Sequence, residues 1–229
     1  MGVYETTAGD IREMARYWML RKFTFLEWTS TLFMSIVDPV PAHGSLPDLR
    51  FQQLSNMAFT EWLLFECELR DGMTPLELYL AEPPRSLGED SAVRLRQVAE
   101  TQFFSRFEIL SKDRAAGVAA LRDVRDGRRY DVADPRVCEV ERWRDGTIAE
   151  RIARVDGIWT FVGQMHLYDV APASETAVDG PGELHPEDGD EHWYLEPAGY
   201  FLRLVRDVMG AGGRYSETMR AVAPDGPRG

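Results

Sequence analysis

The spacing of apolar residues changes character near residue 103. Up to residue 102, apolar side chains recur at intervals of three and four, which is typical of amphipathic helices. Over residues 103–170 the apolar runs are short, and the turn sequences Asp126-Gly127, Asp145-Gly146 and Asp156-Gly157 separate several of them. The pattern predicts an α+β protein with an N-terminal helical domain over residues 1–102 and a small antiparallel β-barrel or bent sheet over residues 103–170.

The helical domain contains clear start signals. Asp10 followed by Glu13 has the spacing of a helix N-cap and its reciprocating carboxylate, so a first helix is predicted to begin there. Residues 51–69 carry apolar side chains at helical intervals and predict a long helix. Thr74 and Glu77, with a proline directly after the threonine, predict a capping box that starts another helix. A last helix is predicted just before the strands.

The β-module is predicted to hold five or six strands at roughly ten-residue spacing. Short turns at this spacing favour a barrel or a strongly bent sheet over a sandwich. Closing the sheet removes the free edges that promote aggregation. The predicted strands cover residues 103–110, 118–124, 129–132, 137–143, 147–155 and 158–168.

The chain becomes acidic and polar after residue 170. Residues 171–191 contain seven acidic residues and no Lys or Arg, a composition typical of a solvated linker. Residues 192–209 end in a segment with apolar side chains on one helical face, which predicts an amphipathic helix that Gly210 terminates. Residues 210–229 are predicted to be a flexible tail.

The charge distribution narrows the classes of partner. The net charge is −12, and residues 103–170 carry 12 basic and 12 acidic side chains, so the excess negative charge lies in the flanking segments. An acidic surface repels nucleic acid and anionic membranes at long range. The longest apolar run of the sequence, residues 17–37, contains Arg21, Lys22 and Glu27, whose burial in a bilayer is costly. The sequence therefore predicts no membrane span and argues against nucleic acid as a partner.

The start of the sequence and its low cysteine content predict a cytoplasmic protein. Glu5 and Asp10 precede any basic residue, unlike the start of a secretory signal peptide. Cys67 and Cys138 are the two cysteines of the chain, and they fall in a predicted helix and a predicted strand. No disulfide framework is expected, and each cysteine is predicted to be a small buried hydrophobic residue.

The sequence contains no recognised motif for catalysis, cofactor binding or metal binding. P-loop, dinucleotide-binding, nucleophile-elbow and zinc-protease motifs are all absent. Glu61, Glu66 and Glu68 are the best carboxylate group for acid–base chemistry, but such a helix face is usually solvated. His185 and His192 lie among acidic residues without regular ligand spacing, which is typical of a hydrated loop. We therefore assign no catalytic residue, no cofactor and no metal ligand.

Two segments resemble a group of uncharacterised bacterial proteins. Residues 59–65 read FTEWLLF and residues 72–80 read GMTPLELYL, which together match the "EW.LF…G.TP.E.YL" signature of that group. The resemblance implies a helical region followed by a small β-module and implies no particular chemistry. Some members carry a SEC-C zinc motif, but Cys67 and Cys138 cannot supply its four ligands, so no zinc site is implied here.

The leading functional hypothesis is a non-catalytic interaction or adaptor scaffold that binds an unidentified protein partner. The C-terminal helix either docks on the body of the protein or presents its apolar face to that partner. In the second case we expect an exposed apolar patch. The predicted partner-binding residues are Tyr200, Phe201, Leu204 and Val205.

Two alternatives stay open. A weak nucleic-acid-binding β-barrel would use arginines interleaved with aromatic residues. An enzyme of unrecognised type would need a deep pocket with convergent polar groups. The candidate nucleic-acid residues are Arg128, Arg129, Tyr130, Arg142, Trp143 and Arg144, with Trp159 as a further aromatic residue.

Overall fold

The computed structural model describes residues 2–39, 49–173, 180–184, 195, 197–213 and, as backbone alone, 219–222. Within these ranges, seven α-helices and seven strands follow one another along the chain. A 3₁₀ turn, Lys22–Thr24, joins the first two helices. The helices are α1 (Val3–Met19), α2 (Leu26–Val37), α3 (Leu49–Phe65), α4 (Pro75–Ala81), α5 (Glu89–Thr101), α6 (Pro135–Glu139) and α7 (Gly199–Met209).

The strands form a closed five-stranded barrel with a two-stranded extension. They are β1 (Phe103–Asp113), β2 (Val118–Asp123), β3 (Arg129–Ala133), β4 (Thr147–Val155), β5 (Ile158–Phe161), β6 (His166–Asp169) and β7 (Met219–Val222).

The barrel order is β1-β2-β3-β5-β4, and β1 pairs with β4 to close it. Neighbouring barrel strands are antiparallel except for β3 and β5, which are parallel. β6 pairs with the first residues of β4, and β7 pairs with β6. A five-stranded Greek-key barrel of this kind, with α6 between β3 and β4, has the architecture of an OB-fold. The predicted α+β fold with a small barrel is confirmed, with one parallel pair in a sheet expected to be antiparallel.

One long bent strand closes the barrel. Residues 103–108 of β1 pair with β4, and residues 107–113 pair with β2. The register shifts between Ile109 and Ser111, and such a bulge bends a strand and increases its twist. On the far side of the barrel, Asp156 and Gly157 both have positive φ and make the tight β4–β5 hairpin that the Asp-Gly pair predicts.

Hydrophobic cores lie on both sides of the barrel wall. The inner core fills the barrel, and α6 contributes Val137 and Cys138 to it. Outside the wall, α2, α3 and α7 pack over Ala149 and Leu167, whereas α1, α4 and α5 pack over the end of β4. The predicted helical domain and β-module therefore share their outer cores. Among the described helices, none is long and apolar enough to cross a membrane.

The helix starts are partly as predicted. The capping box is confirmed, because Thr74 Oγ1 accepts from the backbone N–H of Glu77 and the Glu77 carboxylate accepts from the backbone N–H of Thr74. The first helix, however, begins at Val3 rather than at Asp10. Asp10 lies within α1, and its carboxylate binds Arg94 of α5 with an Oδ2–Nε distance of 2.6 Å. A tertiary ion pair thus accounts for an acidic residue that resembles a cap.

The strand predicted over residues 137–143 is wrong, because the segment begins with α6. Asp134 accepts hydrogen bonds from two backbone N–H groups and Pro135 occupies the first helical position, so local capping outweighs the alternating pattern. The strand predicted over residues 158–168 is divided into β5 and β6.

The described parts of the C-terminal region are packed on the protein. Within the predicted linker, the Gly182 N–H donates to Asp207 of α7 at 2.8 Å, and its carbonyl accepts from Arg203 at 2.9 Å. The flexible tail predicted from residue 210 is wrong for Met219–Val222, which forms β7. The rest of the linker, residues 174–179 and 185–191, and tail residues 214–218 and 223–229 lie outside the described residues.

Candidate functional site

Strand β4 carries charged residues on both faces of the barrel wall. Successive residues of a strand point to opposite faces. Ile148 and Ile152 belong to the inner core, so Glu150 between them points into the barrel, where it is fully buried. Ala149 and Arg151 point to the outside, toward the helices. A carboxylate inside the barrel is costly unless it is paired or neutralised.

Asp134 and His166 reach the same interior position from two other elements. Asp134 directly follows β3 and caps α6, and its Oδ1 accepts from the backbone N–H groups of Arg136 and Val137, each at 3.1 Å. The cap fixes the carboxyl group and leaves Oδ2 for His166, the first residue of β6. Asp134, Glu150 and His166 are all fully buried, and we call them the inner cluster.

A single nitrogen of His166 contacts both carboxylates. His166 Nε2 lies 2.7 Å from Asp134 Oδ2 and 3.1 Å from Glu150 Oε2. One N–H cannot point at both oxygens, and neither oxygen of Glu150 accepts a well-formed hydrogen bond from the described residues. His166 Nδ1 also lacks a partner among them. The inner cluster is therefore short of hydrogen-bond donors, which is uncommon in a protein interior.

Burial and mutual charge shift the pKa of each residue in the inner cluster. Burial and the charge of Asp134 raise the pKa of Glu150 to about 7. Burial alone would lower the pKa of His166, but the two carboxylates outweigh it and raise that pKa to about 10. Burial opposes ionisation of Asp134, yet the charge and hydrogen bond of His166 lower its pKa overall. The cluster thus attracts positive charge, and its three ligand atoms lie within 4.8 Å of one another.

Aromatic rings enclose His166. The Phe161 ring stacks on the imidazole with centroids 4.4 Å apart, and the Trp143 ring lies 5.2 Å away. Phe161 also lines a surface cleft of about 320 Å³, together with residues of α1, Arg136 and Gln164. A single aromatic side chain therefore belongs both to the wall of the inner cluster and to the lining of an open cleft.

Arg151 forms a second buried charge cluster on the outer face of β4. Its Nε donates to Glu61 Oε1 at 3.1 Å, its Nη1 donates to Gln102 Oε1 at 2.5 Å, and its Nη2 donates to Glu66. The second oxygen of Glu61 accepts from the backbone N–H of Gln164 at 2.7 Å. We call Glu61, Glu66 and Arg151 the outer cluster. Burial raises the pKa of Glu61, and Arg151 opposes that rise.

The carboxylate group predicted on the long helix is divided between the interior and the surface. Glu61 and Glu66 bind the same arginine, but Glu61 is fully buried whereas Glu66 is partly exposed, so the prediction that this face is solvated is wrong for Glu61. Glu68 lies beyond the end of α3 and is exposed. Arg151 therefore holds Glu61 and Glu66 in one ion-pair network between α3 and β4.

The exposed apolar patch predicted on the C-terminal helix is wrong. Phe201, Leu204 and Val205 are fully buried, and Tyr200 is half-buried. The Arg125 guanidinium covers the Tyr200 ring, with its carbon 4.5 Å from the ring centroid. Helix α7 packs against α2, α3 and β1. The helix therefore docks on the body, which is the other arrangement that the sequence allows.

The arginines proposed to contact nucleic acid lie at opposite ends of the barrel. Arg128 and Arg129 lie at the start of β3, beside Asp126 and Asp131. Arg142 and Arg144 lie in the loop after α6, beyond the other end of β3. The five residues of β3 separate the two groups by about 13 Å of strand. These arginines do not form one continuous basic surface.

The aromatic residues of that hypothesis face inward. Trp143 is fully buried in the inner core, and Tyr130 is half-buried against Trp159. On the outward face of β2 and β3, where OB-folds bind oligonucleotides, Arg122 is paired with Glu108 and no aromatic residue is present. This face lacks the stacking platform that single-stranded nucleic acid needs.

A basic cleft lies where β1 approaches α6. It has a volume of about 340 Å³, and its charged lining residues are Lys112, Arg114, Arg144 and Glu141, the last 3.8 Å from Arg144. Lys112 Nζ donates to the Val140 carbonyl at 2.7 Å, and burial lowers its pKa. Arg144 is thus one candidate nucleic-acid residue that shares a cleft with other cations.

The largest concentration of exposed apolar side chains follows the first helix. Among the described residues, twelve large hydrophobic side chains are exposed, and six of them lie between residues 19 and 34. Phe23 of the 3₁₀ turn is 90% exposed and Leu20 is 75% exposed. We call this segment the apolar stretch. Its six exposed residues are Met19, Leu20, Phe23, Trp28, Leu32 and Met34.

Sequence analysis missed the inner cluster for a physical reason. Asp134, Glu150 and His166 lie sixteen residues apart in turn, which matches no local ligand motif. The available signal was Glu150 itself, a charged residue between Ile148 and Ile152 on the apolar face of a predicted strand. Such a break in alternation marks a buried charge that needs partners from elsewhere in the fold.

Comparison with known proteins adds no assignment. No family model matches the chain, and neither a curated protein nor a solved structure matches it significantly. The resemblance of residues 59–65 and 72–80 to helical bacterial proteins stays a prediction.

Proposed function

We propose that the protein is a non-catalytic interaction or adaptor scaffold that docks a protein partner on the apolar stretch. What supports the proposal is the exposure of six large apolar side chains within sixteen residues of sequence. Isolated exposed hydrophobic residues are normal, but a concentration of large ones is typical of an interaction surface. The docking site predicted on α7 is replaced by this one because α7 is buried.

The residue types of the apolar stretch favour a protein partner. Phe23 and Trp28 are aromatic, Met19 and Met34 are flexible, and such residues are enriched in binding surfaces. Aromatic side chains commonly supply the residues that dominate binding energy. Trp28 and Leu32 are four apart on α2 and therefore share a helical face.

Basic residues adjoin the apolar stretch in an otherwise acidic protein. Arg21 is exposed, and its guanidinium stacks on Tyr17 with the central carbon 3.6 Å from the ring centroid. Lys22 Nζ lies 5.7 Å from the Phe23 ring centroid. Because the chain has a net charge of −12, these cations favour a partner whose apolar surface is bordered by carboxylates.

Site-specific photo-crosslinking in the native cell tests the proposal. A photoreactive amino acid at position 23 is compared with the same group at position 158, because Ile158 is 46% exposed on β5. We expect one distinct protein to be captured at position 23 and not at position 158. The captured protein is then purified, and its dissociation constant is measured with Phe23→Ser, Lys22→Glu and Ile158→Ser variants.

We expect Phe23→Ser to weaken binding at least tenfold, because loss of a central aromatic residue costs about 2 kcal/mol or more. Lys22→Glu should weaken binding more at low salt than at high salt, and Ile158→Ser should leave it unchanged. Equal effects of the Phe23 and Ile158 variants would contradict the proposal. If the captured protein is a second copy of the chain, the surface mediates self-association and the proposed partner is wrong.

A second candidate function rests on the basic cleft. Lys112, Arg114 and Arg144 line one cavity at the end of an OB-fold barrel, and such barrels commonly bind single-stranded nucleic acid. A fluorescent single-stranded oligonucleotide would test this function across a salt series. Affinity that falls with salt and is lost in Arg144→Ala, but not in Arg128→Ala, supports the cleft. Binding that is independent of salt, or equal in both variants, excludes it.

A further inference from the structure

We propose that Asp134, Glu150 and His166 bind one divalent transition-metal ion inside the barrel. Two carboxylates and one imidazole converge there, with His166 Nε2 between an oxygen of Asp134 and an oxygen of Glu150. All three side chains are fully buried, so the ion would have a structural role. This inference is independent of the docking function proposed for the apolar stretch.

The unpartnered carboxylate of Glu150 carries the argument. Neither of its oxygens accepts a well-formed hydrogen bond from the described residues, although both are buried. Buried polar atoms without partners are rare, and a bound water or ion is one of the explanations that such an atom calls for. Asp134 places a second carboxylate beside that of Glu150, and a dication would neutralise both carboxylates, which the single charge of a protonated His166 does not.

The distances in the inner cluster are close to those of a metal site. The contacts of 2.7 and 3.1 Å join atoms that would be about 3.0–3.4 Å apart around an ion at usual zinc–ligand distances. If the ligand atoms moved apart by a few tenths of an ångström, the ion would fit between them. Asp134 Oδ2, His166 Nε2 and Glu150 Oε2 would supply three donor atoms, and the second oxygen of Glu150 or a water would complete the four-coordinate geometry that zinc prefers.

The surroundings hold the ligands in place. The α6 cap fixes the Asp134 carboxyl group through Arg136 and Val137. Phe161 and Trp143 fix the imidazole plane of His166. Because Asp134 follows β3 while Glu150 and His166 lie on β4 and β6, the ion would connect two strands of the barrel to the adjoining strand β6.

The donor set determines which ions fit. Imidazole nitrogen with carboxylate oxygen suits Zn²⁺, Fe²⁺ or Mn²⁺, whereas Mg²⁺ and Ca²⁺ prefer oxygen ligands alone and Cu⁺ prefers sulfur. Once the bound ion has displaced the ligand protons, two ionised carboxylates and a neutral imidazole would also match the double positive charge. Since the cluster is closed to solvent, the ion would bind as the barrel folds, or would enter past Phe161 from the adjoining cleft.

Metal-dependent refolding tests the site with zinc as the probe. The full chain is unfolded with a chelator and refolded with Zn²⁺, with Co²⁺ or with Mg²⁺ alone. We expect one zinc per chain after passage through chelating resin, a higher urea midpoint with Zn²⁺ than with Mg²⁺, and visible d–d absorption of four-coordinate Co²⁺. A refolded wild-type chain that retains no zinc and gives no cobalt spectrum overturns the proposal, because the cluster then holds only protons.

Matched variants locate the ion. Glu150→Gln should weaken zinc retention at least tenfold, whereas Glu66→Gln in the outer cluster should leave it unchanged. Equal retention in wild type and Glu150→Gln would place the ion elsewhere, for example at His185 and His192, and would also overturn the proposal. If Glu150→Gln lacks a native circular dichroism spectrum, Asp134→Asn replaces it, because asparagine retains an oxygen for the α6 cap.

Discussion

Glu150 and Arg151 are neighbours on β4, but they belong to two buried clusters with opposite hydrogen-bond balance. In the outer cluster, Arg151 uses its Nε, Nη1 and Nη2 atoms, and both oxygens of Glu61 accept hydrogen bonds. In the inner cluster, Glu150 accepts none from the described residues. The two clusters are equally buried at their centres, but only the outer one satisfies its carboxylate oxygens within the described residues. Burial alone therefore does not tell the two kinds of cluster apart, whereas the balance of donors and acceptors does.

The largest effect is expected when a substitution removes the cation of the outer cluster. Arg151→Met should lower the free energy of unfolding by about 3–5 kcal/mol, because it leaves Glu61 buried without its counter-ion. Urea unfolding of the two proteins measures the difference. The double variant Arg151→Met, Glu61→Leu should recover most of the loss. A loss below about 1 kcal/mol in the single variant would mean that Glu61 does not depend on the arginine.

The next largest loss of stability is expected at Asp134, the residue of the inner cluster that also caps α6. Asp134→Ala should lower the free energy of unfolding by about 2 kcal/mol, because it removes both the α6 cap and the partner of His166. Asp134→Asn should lose less, because its oxygen can still accept from the backbone of α6. Equal losses in the two variants, measured by urea unfolding with a chelator present, would show that the cap contributes little.

A smaller effect distinguishes the two buried glutamates directly. In the presence of chelator, Glu150→Gln should change the free energy of unfolding by less than about 1 kcal/mol, because no well-formed hydrogen bond is lost. Glu61→Gln should cost about 2 kcal/mol, since it weakens charge-assisted bonds from Arg151 and alters the contact with the Gln164 N–H. The same urea experiment measures both. Similar losses would contradict the contrast between the clusters.

The smallest expected effect is a difference in the alkylation rates of the two buried cysteines. Cys67 belongs to an outer core and Cys138 to the inner core, and burial raises their pKa values to about 12 and about 11. At pH 8 both thiols are protonated, so we expect negligible alkylation of the native chain and complete alkylation in urea. Cys138 should react first because it borders the basic cleft. Mass spectrometry of time points resolves the order, and rapid native labelling of Cys67 would contradict the described core.

Local signals predicted local structure well. The capping box at Thr74 and the Asp156-Gly157 hairpin depend on a few neighbouring residues, and both form as expected. The failure at residues 137–143 has a local cause as well, because Asp134-Pro135 is a helix-start signal that the alternating pattern hid. Two local signals competed, and the one that satisfies backbone N–H groups prevailed.

The candidate sites depended on information that no local window contains. The amphipathic pattern of α7 shows that an apolar face exists but not what covers it, so Phe201 and Leu204 could not be assigned to the core in advance. Conversely, Phe23 and Leu20 resemble core residues in sequence and are exposed in the structure. The inner cluster forms only when the fold brings the end of β3, the middle of β4 and the start of β6 together.

The outer cluster also constrains the order in which the chain can fold. Glu61 meets Arg151 across 90 residues and the backbone of Gln164 across 103 residues. During synthesis, α3 leaves the ribosome long before β4 and cannot complete its ion pairs until the barrel has been made. Contacts of such long sequence separation slow folding. The faces of α2 and α3 that pack over Ala149 and Leu167 therefore stay uncovered until β4 and β6 have been made, and exposed apolar surface of this kind makes incomplete chains prone to aggregation.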